Sequence, residues 1–400
     1  MTNLSVQLFA ICLAINMLGI VYWQGPSKGV VPNNTANLIK VAPNVGTVFG
    51  MVVFGYLADV LGRKKMYGIE LMIIITATLA ESLCSSSPAI GIIGVIVFWR
   101  VIMGIGVGGD YPLSAVITSE MADTKWRGAM VGAVFAMQGF GQFAAAMMVL
   151  IVTIAFKDTL QAVVSPSDCD GACQRDVDIM WRVVLGFGGI PGWFALYYRL
   201  TIPETPRYTF DVKHNIAKAV ADSRRLRSGK IGPARVDEIQ QAKVKVEMLN
   251  YFEAPPSIKE FYRYFKDWKH FKVLFGTAAS WFLLDVAFYG LNLNTSTILG
   301  YIGFGSKSNI YEAFYNNAVG QLTLICAGSI PGYWFTVALA DVIGRKPIQI
   351  GGFFILTIIF TIIGFNFNHL SKGGLLALYI LAQFFFNFGQ YALCILNYER

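Results

Sequence analysis

With 400 residues, 55% of them hydrophobic and only 14% charged, the chain has too few charges to cover a soluble domain. Membrane spans of roughly 20 residues with modest loops use up its length, so a large soluble domain is excluded. No nucleic-acid partner is implied, because the net charge of +8 comes from Lys and Arg gathered in loops between apolar runs, where they set membrane orientation.

Ten runs are long enough for membrane helices, near residues 6–23, 44–62, 66–84, 92–116, 128–156, 183–202, 273–298, 315–340, 346–366 and 374–396. The first has no charge and is short for a span; it leads straight into more apolar sequence and is expected to stay as an anchor. Asn33-Asn34-Thr35 is a glycosylation sequon on the outer side. The second run ends in Leu57-Ala58-Asp59-Val60-Leu61-Gly62-Arg63-Lys64. The third contains Glu70 and Glu81, to which the sequence assigns no role.

The fourth run holds Arg100, Gly104, Gly106, Gly108, Gly109 and Asp110. A lipid-facing charge at that depth costs about 2.5–3.5 kcal/mol, so both ionisable residues should face the bundle or a water-filled cavity. The glycines allow close helix approach. After the fifth run, residues 156–181 read as an acidic outer loop with Asp158, Asp168, Asp170, Asp176 and Asp178. Cys169 and Cys173 in this loop either bridge in an oxidising compartment or remain two free thiols. Cys12, Cys84, Cys326 and Cys394 lie in apolar runs, and no metal spacing appears.

Residues 203–272 are polar and basic, with a helical-looking stretch around Asp211–Arg227 and a Pro255-Pro256 break, and read as a linker. In the seventh run Trp281, Asp285 and Tyr289 fall at i, i+4 and i+8, so an indole, a carboxyl and a phenol share one helix face. That stripe suits an oxyanion. The eighth run ends in Leu339-Ala340-Asp341-Val342-Ile343-Gly344-Arg345-Lys346, repeating the turn after the second. Positive charge around 63–65, 125–127, 203–272 and 345–346 makes those segments cytoplasmic.

The repeated turns place a carboxylate at a helix end and cations a few residues on, so they are expected to latch one conformation. The latch residues are Asp59, Arg63, Asp341, Arg345, Glu120 and Arg127. The positive-inside rule alone explains the cations but not the shared Asp-x-x-Gly-Arg-Lys spacing. The repeat divides the chain into residues 1–202 with six helices, a linker 203–272, and residues 273–400 with four. Duplicated halves joined by a cytoplasmic linker are the known architecture of the major facilitator superfamily.

Gly108-Gly109-Asp110-Tyr111-Pro112-Leu113-Ser114-Ala115-Val116-Ile117-Thr118-Ser119-Glu120 resembles, nearly word for word, the signature of fungal and plant inorganic phosphate:proton symporters of that superfamily. The glycine pattern and Pro203-Glu204-Thr205-Pro206-Arg207 also recur in sugar porters; Asp110-Tyr111-Pro112 separates the two groups. The resemblance runs from about Phe9 to Gly389. It implies an all-α, polytopic membrane bundle with a midplane cavity lined by helices four, five, seven and ten. It also implies transport of inorganic phosphate by proton symport through alternating access, rather than an enzyme, with no cofactor and no metal.

By the same resemblance, Tyr111, Gln138, Trp281, Asp285, Tyr289 and Asn387 hold phosphate together with Asp110, and Asp110 or Asp285 carries the proton. Dihydrogen phosphate offers donors and acceptors, so phenol, indole and amide donors meet its oxygens while a carboxylate accepts from P–OH and rejects sulfate. For Gln138 and Asn387 a helix–helix hydrogen bond is the plain alternative. Both ends depart from the family pattern. No carboxylate stands near Val6, and the chain stops at Arg400 without helices eleven and twelve, so a shortened member is expected. A sugar or organic-solute porter, or a non-transporting membrane sensor, remains the alternative. The expected location is the plasma membrane.

Overall fold

Backbone groups surrounded by lipid must be satisfied within their own segment, which leaves helices as the way for an open chain to cross. The structure, a computed structural model, describes residues 2–123, 125–228, 236–240, 244, 258–305 and 309–396, and no strand occurs among them. Ten long helices follow the ten apolar runs: α1 (Thr2–Tyr22), α2 (Asn33–Leu61), α3 (Arg63–Ser82), α4 (Ile92–Met121), α5 (Arg127–Ala155), α6 (Gly171–Phe187, resuming as Gly189–Thr201), α7 (Trp268–Asn292), α8 (Ile310–Leu339), α9 (Arg345–Asn366) and α10 (Lys372–Leu396). Among the described residues, seven of them are long and apolar enough to cross a membrane. Of the others, α1 has an apolar stretch over Leu8–Tyr22, and α3 carries Arg63, Lys64, Lys65, Glu70 and Glu81.

Several helices begin earlier than the apolar runs suggest. The outer segment expected as a loop is largely helical, with Lys157–Gln161, a short turn at Pro166–Asp168, and α6 starting at Gly171. Its first turns are amphipathic: Cys173, Val177, Met180, Trp181 and Val184 are buried, while charged neighbours on the other face break the apolar run. Cys169 and Cys173 are joined by a disulfide. Likewise α2 starts at Asn33, so the sequon lies in its first turn. Between α6 and α7 the described residues include helices Pro206–Asp211, Ile216–Ser228 and Ile258–Phe265. The Pro255-Pro256 break lies outside the described residues.

The tightest seam joins α2 to α4. A Cβ on Gly108 would lie 2.8 Å from the Met51 nitrogen, and one on Gly46 would lie 2.9 Å from the Ile105 nitrogen. Such distances are closer than side-chain carbons sit, so the glycines are what let the two backbones touch. Further along, α5 packs against α1 and α8, and α10 against α8 and α9. The helix α8 contains a π-turn over Ile325–Ser329, directly before Pro331. Proline lacks the N–H and clashes with the carbonyl four residues back, which accounts for the slipped register.

Candidate transport site

Helices α4, α5 and α7 bring three expected residues into one hydrogen-bonded chain. The Gln138 amide donates to the Tyr111 hydroxyl at 3.3 Å, and the Tyr111 and Tyr289 hydroxyls lie 3.5 Å apart. Tyr111 stacks on Phe135 with centroids 6.4 Å apart. It also packs, with Trp281, against a buried cluster that includes Phe135 and Tyr333. One turn from Tyr289 the same helix carries Asp285, with Trp281 as its neighbour one turn further back. Trp281, Asp285 and Tyr289 are half-buried, while Phe282, Leu283 and Val286 on the same helix are exposed. The i, i+4, i+8 stripe therefore faces the bundle, and the apolar side faces outward.

Asn387 is fully buried on α10, where its amide donates to the Gln383 carbonyl at 2.7 Å. Its Oδ1 has no hydrogen-bond partner. It makes no hydrogen bond to Tyr111 or Tyr289. Its helix is held against α8 by Thr336, whose hydroxyl donates to the Asn387 carbonyl at 3.2 Å.

Asp110 stands apart from this group. Neighbouring residues on a helix point about 100° apart, so Asp110 and Tyr111 face different partners. Asp110 is buried, pairs with Arg199 of α6 at 2.7 Å, and accepts from the Ser114 hydroxyl at 2.9 Å. Arg199 also reaches Glu70 at 3.4 Å and lies 3.8 Å over the Tyr67 ring. The Glu70–Arg199–Asp110 cluster assigns a setting to Glu70, which the sequence left without one. The only sequence signal for Arg199 was a lone cation inside the sixth apolar run. Glu81, also without an assigned role, forms a buried pair with Arg100 at 3.0 Å, and Arg100 donates to the Ile39 carbonyl at 2.8 Å. Arg100 is thus held on the α2–α3–α4 side, and no ion pair to Asp285 occurs among the described residues.

At the end of the bundle that carries the basic turns, Gly62 (φ 114°) and Gly344 (φ 89°) adopt backbone angles that a side chain disfavours. Each turns the chain into the next helix. After Gly62, Arg63 reaches Asp59 at 3.6 Å and forms an ion pair with Glu120 at the end of α4. Glu204 accepts the Lys64 N–H at 3.1 Å, placing a carboxylate on the positive end of α3, and the Thr205 hydroxyl sits 3.2 Å from Arg63. The second turn behaves differently. Asp341 pairs with Arg345 at 3.5 Å but also crosses to α5, accepting the Ala129 N–H at 2.9 Å. Arg127 forms no ion pair among the described residues, and its Nε is buried without a partner, so the latch uses the start of α5 through its backbone instead. A cavity of about 760 Å³ opens beside this contact, lined in part by Glu120, Trp126, Ala133, Ser223 and Val337.

Long apolar helices, ionisable groups gathered inside the bundle, a small polar group between α4, α5 and α7 and helix-end clamps at one end define a polytopic membrane transporter. The model of the family described as "Sugar (and other) transporter" matches residues 10–398, and the chain belongs to that family. It is 53% identical over 391 residues to the repressible high-affinity phosphate permease of Neurospora crassa, covering 97% of this chain and 68% of that protein. It is 48% identical over 390 residues to the inorganic phosphate transporter PHO84 of Saccharomyces cerevisiae, covering 96% of this chain and 66% of that protein. The chain thus spans about two thirds of the length of these relatives. Among solved structures, the partially occluded inward-open xylose transporter XylE from E. coli superposes with a TM-score of 0.64 at 17% identity, covering 99% of this chain and 86% of that one. At that identity the likeness is one of fold, that of the major facilitator superfamily.

Proposed function

We propose that the protein carries inorganic phosphate across the membrane together with protons, by alternating access of a site built from Tyr111, Gln138, Trp281, Asp285 and Tyr289. The observation that carries this reading is the hydrogen-bonded group Gln138–Tyr111–Tyr289, which has the Asp285 carboxyl one turn away. The two phenols, the indole and the amide can donate to phosphate oxygens, and the carboxylate can accept from a P–OH. A fully deprotonated oxyanion such as sulfate offers no such donor and meets carboxylate repulsion instead. The names of the two fungal relatives support the same substrate.

In this reading α1–α6 and α7–α10 are the two bodies that rock about the site, and the Asp341–Ala129 contact is one closure between them. Asp285 carries a proton beside the substrate. Asp110, held by Arg199 and Glu70, is a second proton-coupling group inside the first body. The basic end, with residues 203–272, faces the cytoplasm by the positive-inside rule, and the host membrane is the plasma membrane. The test is uptake of radiolabelled phosphate into vesicles holding the purified chain, with an imposed proton gradient, against glucose and xylose. Gradient-dependent accumulation of phosphate alone is the expected result. Sugar accumulation, or phosphate uptake indifferent to the gradient, would overturn the proposal.

A further inference from the structure

A second polar chamber lies one helical turn from the candidate site, on the side away from the basic turns. Its polar lining is Gln142, Asn292, Thr295, Gln321, Ser329 and Gln383. Helix register sets its position. Gln142 follows Gln138 by one turn on α5, and Asn292 follows Tyr289 by about one turn on α7. Ser329 precedes Tyr333 by one turn on α8, and Gln383 precedes Asn387 by one turn on α10. Because α5 and α7 run away from the basic end while α8 and α10 run toward it, all four steps point the same way. The chamber therefore sits about 5.4 Å outward of the first group.

Its chemistry differs from that of the inner group. No charged side chain lines it; the walls are amides and hydroxyls, closed on the α1 side by Phe9, Cys12 and Leu13. The Gln383 amide donates to the Asn292 side-chain Oδ1 at 3.2 Å, and the Asn292 Nδ2 in turn donates to the Phe288 backbone carbonyl at 2.9 Å, which fixes that wall. Across from it, Gln142 is 5% exposed and its Nε2 has no hydrogen-bond partner. An unmade bond on a buried amide is costly, and a donor aimed into a polar cavity is the form such a cost takes when a ligand is due there. The π-turn Ile325–Ser329 forms another wall, and such turns tend to mark functional positions.

The space is small. Its volume open to the centres of water-sized molecules is about 20 Å³, a little more than a single water requires. One small tetrahedral ion or a pair of waters fits, and a hexose does not. Amides and hydroxyls donate and accept, matching an oxyanion that bears both P–OH groups and bare oxygens. Without a cation in the walls the hold is weak, which suits a station that must release its occupant in either direction.

We infer that this amide chamber is a second, transient site for dihydrogen phosphate, occupied on the path between the outer face and the Tyr111–Asp285 group. The inference rests on the proposed phosphate substrate. Equilibrium binding of radiolabelled inorganic phosphate to the full chain in lipid nanodiscs tests it. Wild type should show a tighter and a weaker saturable component. Asp285→Ala should weaken the tighter component by about tenfold or more and leave the weaker one. Gln142→Leu should remove the weaker component and leave the tighter one, and Gln321→Leu on another wall should do the same. Thermal unfolding and size-exclusion profiles identify variants that fold, and either glutamine variant suffices for the decision. Two intact components in a folded glutamine variant would show that the chamber holds only water, and so would a single component in wild type. Loss of the weaker component in the glutamine variants, with the tighter one untouched by Asp285→Ala, would uphold the chamber and instead overturn the inner site.

Discussion

Asp341, at the end of α8, accepts the backbone N–H of Ala129 in the first turn of α5, 212 residues earlier in the chain, at 2.9 Å. A carboxylate in that place satisfies an otherwise unpaired donor and sits at the positive end of the helix. It joins a helix of the first repeat to one of the second at the end carrying the basic turns. Removing a cap of this kind costs about 0.5–2 kcal/mol, enough to change the population of a closed form several-fold. Asp341→Ala should therefore raise maleimide labelling of Ala133→Cys, in the adjoining cavity, by several-fold. An unchanged labelling rate would remove Asp341 from the closure.

The ten long helices, the paired Asp-x-x-Gly-Arg-Lys turns and the Trp281–Asp285–Tyr289 stripe were legible because each is a local pattern, set by helical period or by a turn's need for glycine. What joins them was not. The two turns read alike, yet Arg63 stays with Asp59 and Glu120, while Asp341 crosses to α5. Nothing within either octapeptide distinguishes them, since the partner lies on a distant helix. Arg199 and Glu70, 129 residues apart, were unreadable for the same reason. The start of α6 was missed because its outward face is charged, so hydropathy reported a loop where an amphipathic helix packs. Asp110 illustrates the limit of motif reading: adjacent to Tyr111 in sequence, it faces Arg199 rather than the Tyr111–Tyr289 group.

The Glu81–Arg100 pair is buried on both sides, with side-chain exposures of 1% and 1%. Removing one partner of such a pair leaves an uncompensated charge and costs about 3–5 kcal/mol. Glu81→Gln should therefore sharply lower the thermal midpoint and the monodisperse yield in detergent. Replacing both residues by methionine should recover most of that loss, because no charge is left behind. A single variant as stable as wild type would mean that water or lipid headgroups reach Arg100.

Along α4 the glycines are not equivalent. Gly108 meets the backbone of α2, whereas a Cβ on Gly94 would find only the Ile90 side chain, at 3.9 Å. Gly108→Ala should destabilise the fold by about 1–3 kcal/mol through overpacking, and Gly94→Ala should be tolerated. Folded yield and unfolding midpoint of the two variants, compared side by side, check this. Equal behaviour would show that the α2–α4 seam gives way without cost.

Asp285 is the residue on which the proposed proton coupling turns. It sits one turn from Trp281 and one turn from Tyr289, which reaches Tyr111. No cation pairs with it among the described residues, and Arg100 is held by Glu81 and the Ile39 carbonyl. A carboxyl so placed inside the bundle needs a functional partner, and the proton and the phosphate supply one each. Asp285→Asn keeps the shape but cannot titrate. It should abolish accumulation driven by a proton gradient while retaining part of the phosphate binding. Asp285→Ala removes the acceptor as well and should weaken both. Uptake per folded molecule, measured in vesicles across a series of imposed gradients, separates coupling from folding. If Asp285 served only to hold helices together, Asp285→Asn would lower the folded yield, yet each folded molecule would concentrate phosphate with the wild-type pH profile. That result would take the proton away from Asp285 and leave Asp110 as the remaining candidate.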